Sequence, residues 1–296
     1  MNDAFSCYHP IVNFAWFTAV FAFSMLFMHP VMLFIALVCA LYYAARLTGG
    51  KVLRTSLQYL LPLMLMTAAL NPVFNHEGVT ILCWLPSGNP LTLEAILYGL
   101  AAAAMLVTGI EWVTCFNSVI NSEKFVYLFG RMVPALGLLL SMALRFVPLF
   151  STRIKAAAEA QRALRKGVLS GGIIGRIRLG FKVLSSAVTW ALENAIETAD
   201  SMKSRGYGLP KRTAFSIFRF ESRDTYALIF ILFCSTYILA AAVSGGIVWR
   251  YYPSASGALN EPYTISVFFV WLALCAMPLF LSVREERKWK SLMSAI

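Results

Sequence analysis

Seven apolar runs, at 11–28, 31–47, 57–74, 91–116, 132–150, 225–243 and 264–283, dominate this chain. Runs of roughly 17 to 25 apolar residues are long enough to cross a hydrocarbon core about 30 Å thick, because a helix rises about 1.5 Å per residue. In lipid every backbone polar group must be satisfied within the segment, so runs of this length take the form of helices. Composition agrees: 59% of the 296 residues are hydrophobic and 13% are charged, where a soluble domain carries about 25% charged residues. The expected fold class is therefore an all-α integral membrane protein. The first run lacks a basic leader, and 14–28 meets His29-Pro30 without a small-residue cleavage site, so no cleaved signal peptide is expected.

Charge is unevenly placed. Residues 151–223 hold fourteen Lys and Arg against five acids (Glu159, Glu193, Glu197, Asp200 and Glu221). A basic block beside membrane spans is cytoplasmic by the positive-inside tendency, and it also attracts anionic headgroups. Membrane lipids are thus an expected partner, and nucleic acid is not. Arg46, Lys51 and Arg54 assign the second loop to the cytoplasm, and Arg284, Arg287, Lys288 and Lys290 do the same for the C-terminal segment. An even number of spans must then lie between Arg54 and Ser151, yet three runs occur there. The run at 132–150 carries Pro134, Arg145 and Pro148 and is read as an amphipathic segment embedded in the cytoplasmic leaflet. The other resolution is a misassigned span among the first four.

The resulting arrangement has about six transmembrane helices, two long cytoplasmic helices and the embedded segment. It divides into an N-terminal membrane region at 1–131, a cytoplasmic helix domain at 132–223 and a C-terminal membrane region at 224–296. The first long helix runs over about 145–166 and is rich in Ala and Arg, both strong helix formers. Gly167, Gly171, Gly172 and Gly175 punctuate a turn, and the second helix covers about 174–205. Its apolar positions Ile177, Phe181, Leu184, Val188, Ala191, Ala195, Ala199 and Met202 recur mostly at steps of four and three, the spacing of one continuous seam. Small residues toward its end allow another helix to approach closely, and the first basic helix is expected to cover part of the seam. Some thirty residues reach about 45 Å, longer than a bilayer core is thick. Gly206, Gly208 and Pro210 then stop the helix.

Arg205 stands at the tip. A cation there is favoured by the helix macrodipole by about 0.3–1 kcal/mol, so a plain capping role competes with a docking role. For docking, Gly206 keeps no side chain between the tip and a partner surface, an Arg fork pairs bidentately with a carboxylate, and Tyr207 adds an aromatic of the kind enriched at interfaces.

The segment Ala199-Asp-Ser-Met-Lys-Ser-Arg-Gly-Tyr-Gly208, closing the second of two long helices among membrane spans, resembles the transmembrane T component of energy-coupling factor (ECF) type ABC transporters, the CbiQ-like family. In that family each of two coupling helices ends in a short Ala-Arg-Gly motif that docks into an ATPase subunit. The second motif maps onto Ser204, Arg205 and Gly206, with Ser in place of Ala. The approach to the first motif is similar at Leu144-Arg-Phe-Val-Pro-Leu149 and Ala160-Gln161-Arg162, but the motif itself departs. This chain reads Ala163-Leu164-Arg165-Lys166-Gly167, and either Arg162 or Arg165 takes the family arginine's place.

The resemblance implies a bacterial or archaeal cell-membrane protein with two cytosolic ABC ATPase subunits and a small membrane-embedded substrate-binding S component as partners. Their ATP-driven motion would be transmitted to import a micronutrient such as a vitamin or a metal ion. The packing surface for the S component would be Val188, Ala191, Ala195, Ala199, Met202 and Tyr207 together with the embedded segment. The chain itself would be non-catalytic and bind no cofactor, with ATP used by the partners.

Residue chemistry agrees with a non-catalytic part. Gly171-Gly172-Ile-Ile-Gly175 lacks the lysine and hydroxyl of a phosphate loop. Cys7, Cys39, Cys83, Cys115, Cys234 and Cys275 show no paired spacing, and His9, His29 and His76 do not cluster, so neither a disulfide framework nor a metal site is expected. Glu94 and Glu111 lie in the fourth apolar run, where an acid is a functional candidate by default; both are read as interfacial. Two further classes remain: a pore-lining permease subunit, which would place polar groups in several spans, and a lipid-acting membrane enzyme, which would need a convergent catalytic set.

Overall fold

The computed structural model describes residues 4–84, 90–164, 173–207, 218–257 and 261–293. The described residues are mostly helical: Pro10–Leu26 (α1), Pro30–Thr48 (α2), Gly50–Phe74 (α3), Leu93–Val119 (α4), Ser122–Met132 (α5), Pro134–Leu164 (α6), Ile173–Ser204 (α7), Ser222–Val243 (α8) and Pro262–Met293 (α9). Five described segments are long and apolar enough to cross a membrane: α2, α4, α8, Pro262–Ser291 of α9 and Leu136–Gln161 of α6. Pro10–Leu26 and Leu60–Phe74 are shorter apolar helices. The chain is an all-α, multi-pass membrane protein.

It divides into two compact units, 1–125 with 218–296, and 126–217. In the first, α1, α2, α4, α8 and α9 share one core. Trp16, Trp112, Trp271, Tyr43 and Phe5 are wholly buried there. The Trp16 ring meets Phe5, Phe17, Tyr43 and Trp112 edge-on at centroid distances of 4.8–6.1 Å, the geometry an aromatic quadrupole favours. Both Trp16 and Trp271 donate their indole N–H groups to helix carbonyls, Trp16 to Leu274 at 2.8 Å and Trp271 to Met32 at 3.0 Å. Each such bond crosses between helices, so it fixes their relative height as well as their spacing. The thiols of Cys39, Cys115, Cys234 and Cys275 are buried as small apolar groups among these rings. Along the side, Gly99 of α4 lies against the Ala68 carbonyl of α3, and a Cβ at that position would come within 2.6 Å of the oxygen.

One end of this unit is basic. Arg46, at the end of α2, pairs with Glu286 of α9 at 2.8 Å. The buried Lys124 ammonium donates to the carbonyls of Ser6 and Val119. Asp224 begins α8 with a capping box: one carboxylate oxygen accepts from the Glu221 N–H at 2.9 Å, and the other takes the His9 N–H at 3.0 Å. That second bond ties the start of α8 to the start of α1.

The opposite end is built from the segments between helices. The sequence predicts irregular loops at 75–90 and 244–263; the structure places two short antiparallel pairs there, Ile81–Trp84 (β1) with Pro90–Thr92 (β2), and Trp249–Arg250 (β3) with Ser256–Gly257 (β4). Tyr252 accepts from the amides of Asn71 and Asn75 at 3.3 and 3.1 Å. Tyr251 donates to the Met28 carbonyl at 2.7 Å, and burial pushes its hydroxyl up to about 12. Glu94 belongs to this end too, accepting from the Thr80 hydroxyl at 2.8 Å. Glu111 is 1% exposed, inside the unit beside Trp112, two turns short of the end of α4.

The second unit is built on two long helices. Here the run at 132–150 is not a separate segment. It forms the first half of α6, one continuous helix that opens at Pro134, passes through Pro148 and ends at Leu164. Proline suits the first helical position because its missing N–H has no partner there. Before it, α5 turns into α6 at a corner where Gly137 lies directly on the backbone of Gly130, too close for a Cβ.

Candidate functional site

Helices α6 and α7 run antiparallel. Phe150 of α6 meets Trp190 of α7 edge-on at 5.5 Å, and the Arg153 guanidinium lies 5.2 Å over the same indole. Nearer the end of α7, Met142 and Phe146 stand beside Thr198 and Met202. At about 1.5 Å per residue the 32 residues of α7 extend about 48 Å.

Which face of α7 meets α6 differs from the expectation. From Val183 onward the buried and half-buried positions are Val183, Ala187, Trp190, Ala191, Asn194, Thr198 and Met202, mostly at steps of four and three. Ile177, Phe181, Leu184 and Val188 are instead 50–68% exposed, as are Leu192 and Ile196. At 100° per residue the exposed apolar stripe lies roughly a third of a turn around the helix from the packed seam. Both stripes have helical periodicity, so spacing alone does not say which one is covered. Leu192 and Ile196 continue the exposed stripe by four-residue steps from Val188, one position beyond the small residues Ala191 and Ala195.

The end of α7 explains Ser204-Arg205-Gly206 locally. The Tyr207 N–H donates to the Met202 carbonyl and the Gly206 N–H to the Lys203 carbonyl, both at 3.0 Å. Gly206 sits at φ +73°. This is a Schellman ending, in which the residue after the cap adopts a left-handed conformation that glycine reaches without penalty. Arg205 is the cap residue itself, exposed just before the chain turns. Ser204 returns its hydroxyl to the Ser201 carbonyl at 2.9 Å.

Replacing Gly206 by Ala is expected to weaken this turn by about 1 kcal/mol, since a Cβ at positive φ costs about 1–2 kcal/mol. Amide exchange at Tyr207 should then quicken about fivefold, and an unchanged rate would show that the ending does not depend on glycine.

Beside the tip is a groove of about 340 Å³ lined by Met142, Phe146, Ala195, Thr198, Ala199, Met202, Lys203 and Tyr207. It gathers four of the expected packing residues: Ala195, Ala199, Met202 and Tyr207. Val188 lies on the exposed stripe outside it, and Ala191 is half-buried. The other tip is reached only in part. Arg162 and Ala163 fall in the last turn of α6, with Ala163 exposed, while Arg165 and Gly167 lie outside the described residues. Among the described residues no three His, Cys, Asp or Glu side chains converge on a possible metal position.

Fold and site together define a multi-pass helical membrane protein that carries a long helical hairpin with an arginine at one end. Its sequence is similar to transmembrane T components of ECF transporters. It is 27% identical over 160 residues to the energy-coupling factor transporter transmembrane protein EcfT of Staphylococcus aureus, covering 52% of this chain and 59% of that one. It is 34% identical over 103 residues to EcfT of Streptococcus thermophilus, covering 34% of this chain and 39% of that one. A third relative, named a putative ABC transporter ATP-binding protein, from Bifidobacterium longum, is 25% identical over 217 residues, covering 70% of this chain and 27% of its own length. The chain thus spans less than two thirds of the length of each of these relatives. No family model matches the chain.

Proposed function

We propose that this chain is the transmembrane coupling subunit of an ECF-type ABC importer. It transmits ATP-driven motion of two cytosolic ATPase subunits to a separate, membrane-embedded S component for uptake of a micronutrient, a vitamin or a metal ion. The observation that carries this reading is the ending of α7: a Schellman turn presenting an exposed Arg205 at the end of a helix about 48 Å long, in a chain similar to EcfT. A rigid rod with a charged tip transmits displacement, and a guanidinium fork supplies directional contact with a carboxylate.

On this reading Ser204, Arg205 and Gly206 seat in one ATPase, and the last turn of α6, with Arg162, Ala163, Arg165 and Gly167, seats in the other. The groove and stripe of α7, with Val188, Ala191, Ala195, Ala199, Met202 and Tyr207, receive the S component. The basic end of the first unit, the hairpin and the C-terminal segment are cytoplasmic by the positive-inside tendency. The three-part division at 1–131, 132–223 and 224–296 then separates two membrane regions from the coupling helices. That a protein named as an ABC ATP-binding protein contains a stretch like this chain supports a working association with ATPases. The aromatic centre of the first unit, built on Trp16, Trp112 and Trp271, supports a scaffold over a pore-lining permease, whose spans would face a polar path. No enzymatic step and no bound cofactor are assigned to this chain.

The test is co-purification of the tagged chain from its native membrane. Two nucleotide-binding subunits and a small hydrophobic protein are expected; two ATPases alone would indicate an ordinary permease, and neither would overturn the reading.

A further inference from the structure

At the basic end of the first unit, α8 and α9 leave a groove of about 550 Å³ between them, roofed by Tyr8. Its walls are apolar, with Phe230 of α8 and Ala273, Met277 and Phe280 of α9, while Arg223 and Arg284 stand at one end. The outer face of α9 repeats the pattern along a single line. Leu279, Phe280 and Val283 give way to Arg284, Arg287 and Lys288 in a hollow of about 700 Å³ that shares Phe280 and Arg284 with the groove.

The charged groups around it are partly paired with one another. Arg284 is exposed and makes no ion pair among the described residues. Arg223 holds Glu221 at 2.9 Å and lies 5.3 Å over the Tyr8 ring. Of the acids nearby, Asp224 is occupied by backbone N–H groups and Glu286 by Arg46, leaving Glu285 on the Tyr8 side.

Depth fits as well. From Ala273 to Arg284 the helix rises about 16 Å, close to half of a hydrocarbon core about 30 Å thick. The arginines then stand at headgroup level when the apolar wall lies in one leaflet. Trp289, 64% exposed about a turn and a half beyond, is the side chain that favours that interface.

We propose that this groove binds an anionic phospholipid, its phosphate held by Arg223 and Arg284 and one acyl chain laid along Phe230, Met277 and Phe280. Charge complementarity selects this occupant. An apolar helix of another protein would cover the Arg284 guanidinium without supplying a counter-charge, which is costly in a membrane, whereas a lipid phosphate supplies one and its chain fills the rest.

The proposal is independent of how α7 engages its partners. It is tested by native mass spectrometry of the full chain released from micelles containing phosphatidylglycerol or phosphatidylcholine. One phosphatidylglycerol is expected to stay bound. Arg223→Gln and Arg284→Gln should each lower its retention about fivefold and together about thirtyfold. The pair Arg223→Lys and Arg284→Lys should retain it, which separates loss of charge from misfolding. Arg250→Gln, at the opposite end of the unit, should change nothing. Excess inorganic phosphate should fail to displace the lipid, because the acyl contacts are part of the site. Equal retention of phosphatidylcholine, an unaffected double Gln variant, an equal loss with Arg250→Gln, or displacement by phosphate alone would each overturn the proposal.

Discussion

Arg205→Glu is expected to detach an ATPase subunit from the purified assembly while leaving the chain inserted and folded. The reason is a separation of roles at the end of α7. The turn is made by backbone groups, the N–H donors of Gly206 and Tyr207, and by the positive φ of Gly206. The Arg205 side chain takes no part in it and is exposed. Reversing its charge therefore leaves the cap intact and forfeits only the macrodipole contribution, about 0.3–1 kcal/mol. A carboxylate facing it in an ATPase groove would instead meet a like charge. Breaking one partner of such a hydrogen-bonded pair costs about 2–5 kcal/mol, so affinity should fall about thirtyfold or more. Arg178→Glu, on the exposed polar face of the same helix, is the control and should retain the ATPases. An Arg205→Glu assembly that purifies whole and transports normally would remove the docking role.

Trp16→Ala is expected to be the most damaging single truncation in the membrane unit. Trp16 is fully buried, meets four rings edge-on and bonds across to Leu274. Large aromatic truncations in packed cores cost about 3–5 kcal/mol. In a bilayer part of that figure falls away, because lipid solvates apolar groups as well as protein does. What remains is the cavity and the lost indole bond, so about 3 kcal/mol is expected, seen as a clear fall in melting temperature in detergent. Trp16→Phe should lose the bond but keep most of the packing, and fall less. Equal melting of all three proteins would show that this aromatic centre does not hold α1 to α9.

The helices were legible because each is specified by its own residues. Apolar length identified the spans, and the Gly-Tyr-Gly stop placed the end of α7 within a residue or two. Legibility failed where two local readings were equally good. Both stripes of α7 have helical spacing, and the one covered by α6 is decided by which neighbour is present. Pro134, Arg145 and Pro148 mark 132–150 as an embedded amphipathic segment, yet α6 opens at Pro134 and continues through Pro148 to Leu164. The position of Glu111 in its apolar run does not show that the helices around α4 enclose it.

Sequence alone therefore determined the class of protein, the placing of its apolar helices along the chain and the arginine tip, since these follow from hydropathy, helix rise and one glycine conformation. Tertiary structure decided which faces are covered, how the Trp16 and Trp271 indoles lock α1 and α2 to α9, and where Arg223 and Arg284 meet an apolar wall. The two indole bonds join residues more than two hundred positions apart, the other contacts join separate helices, and no local pattern encodes them.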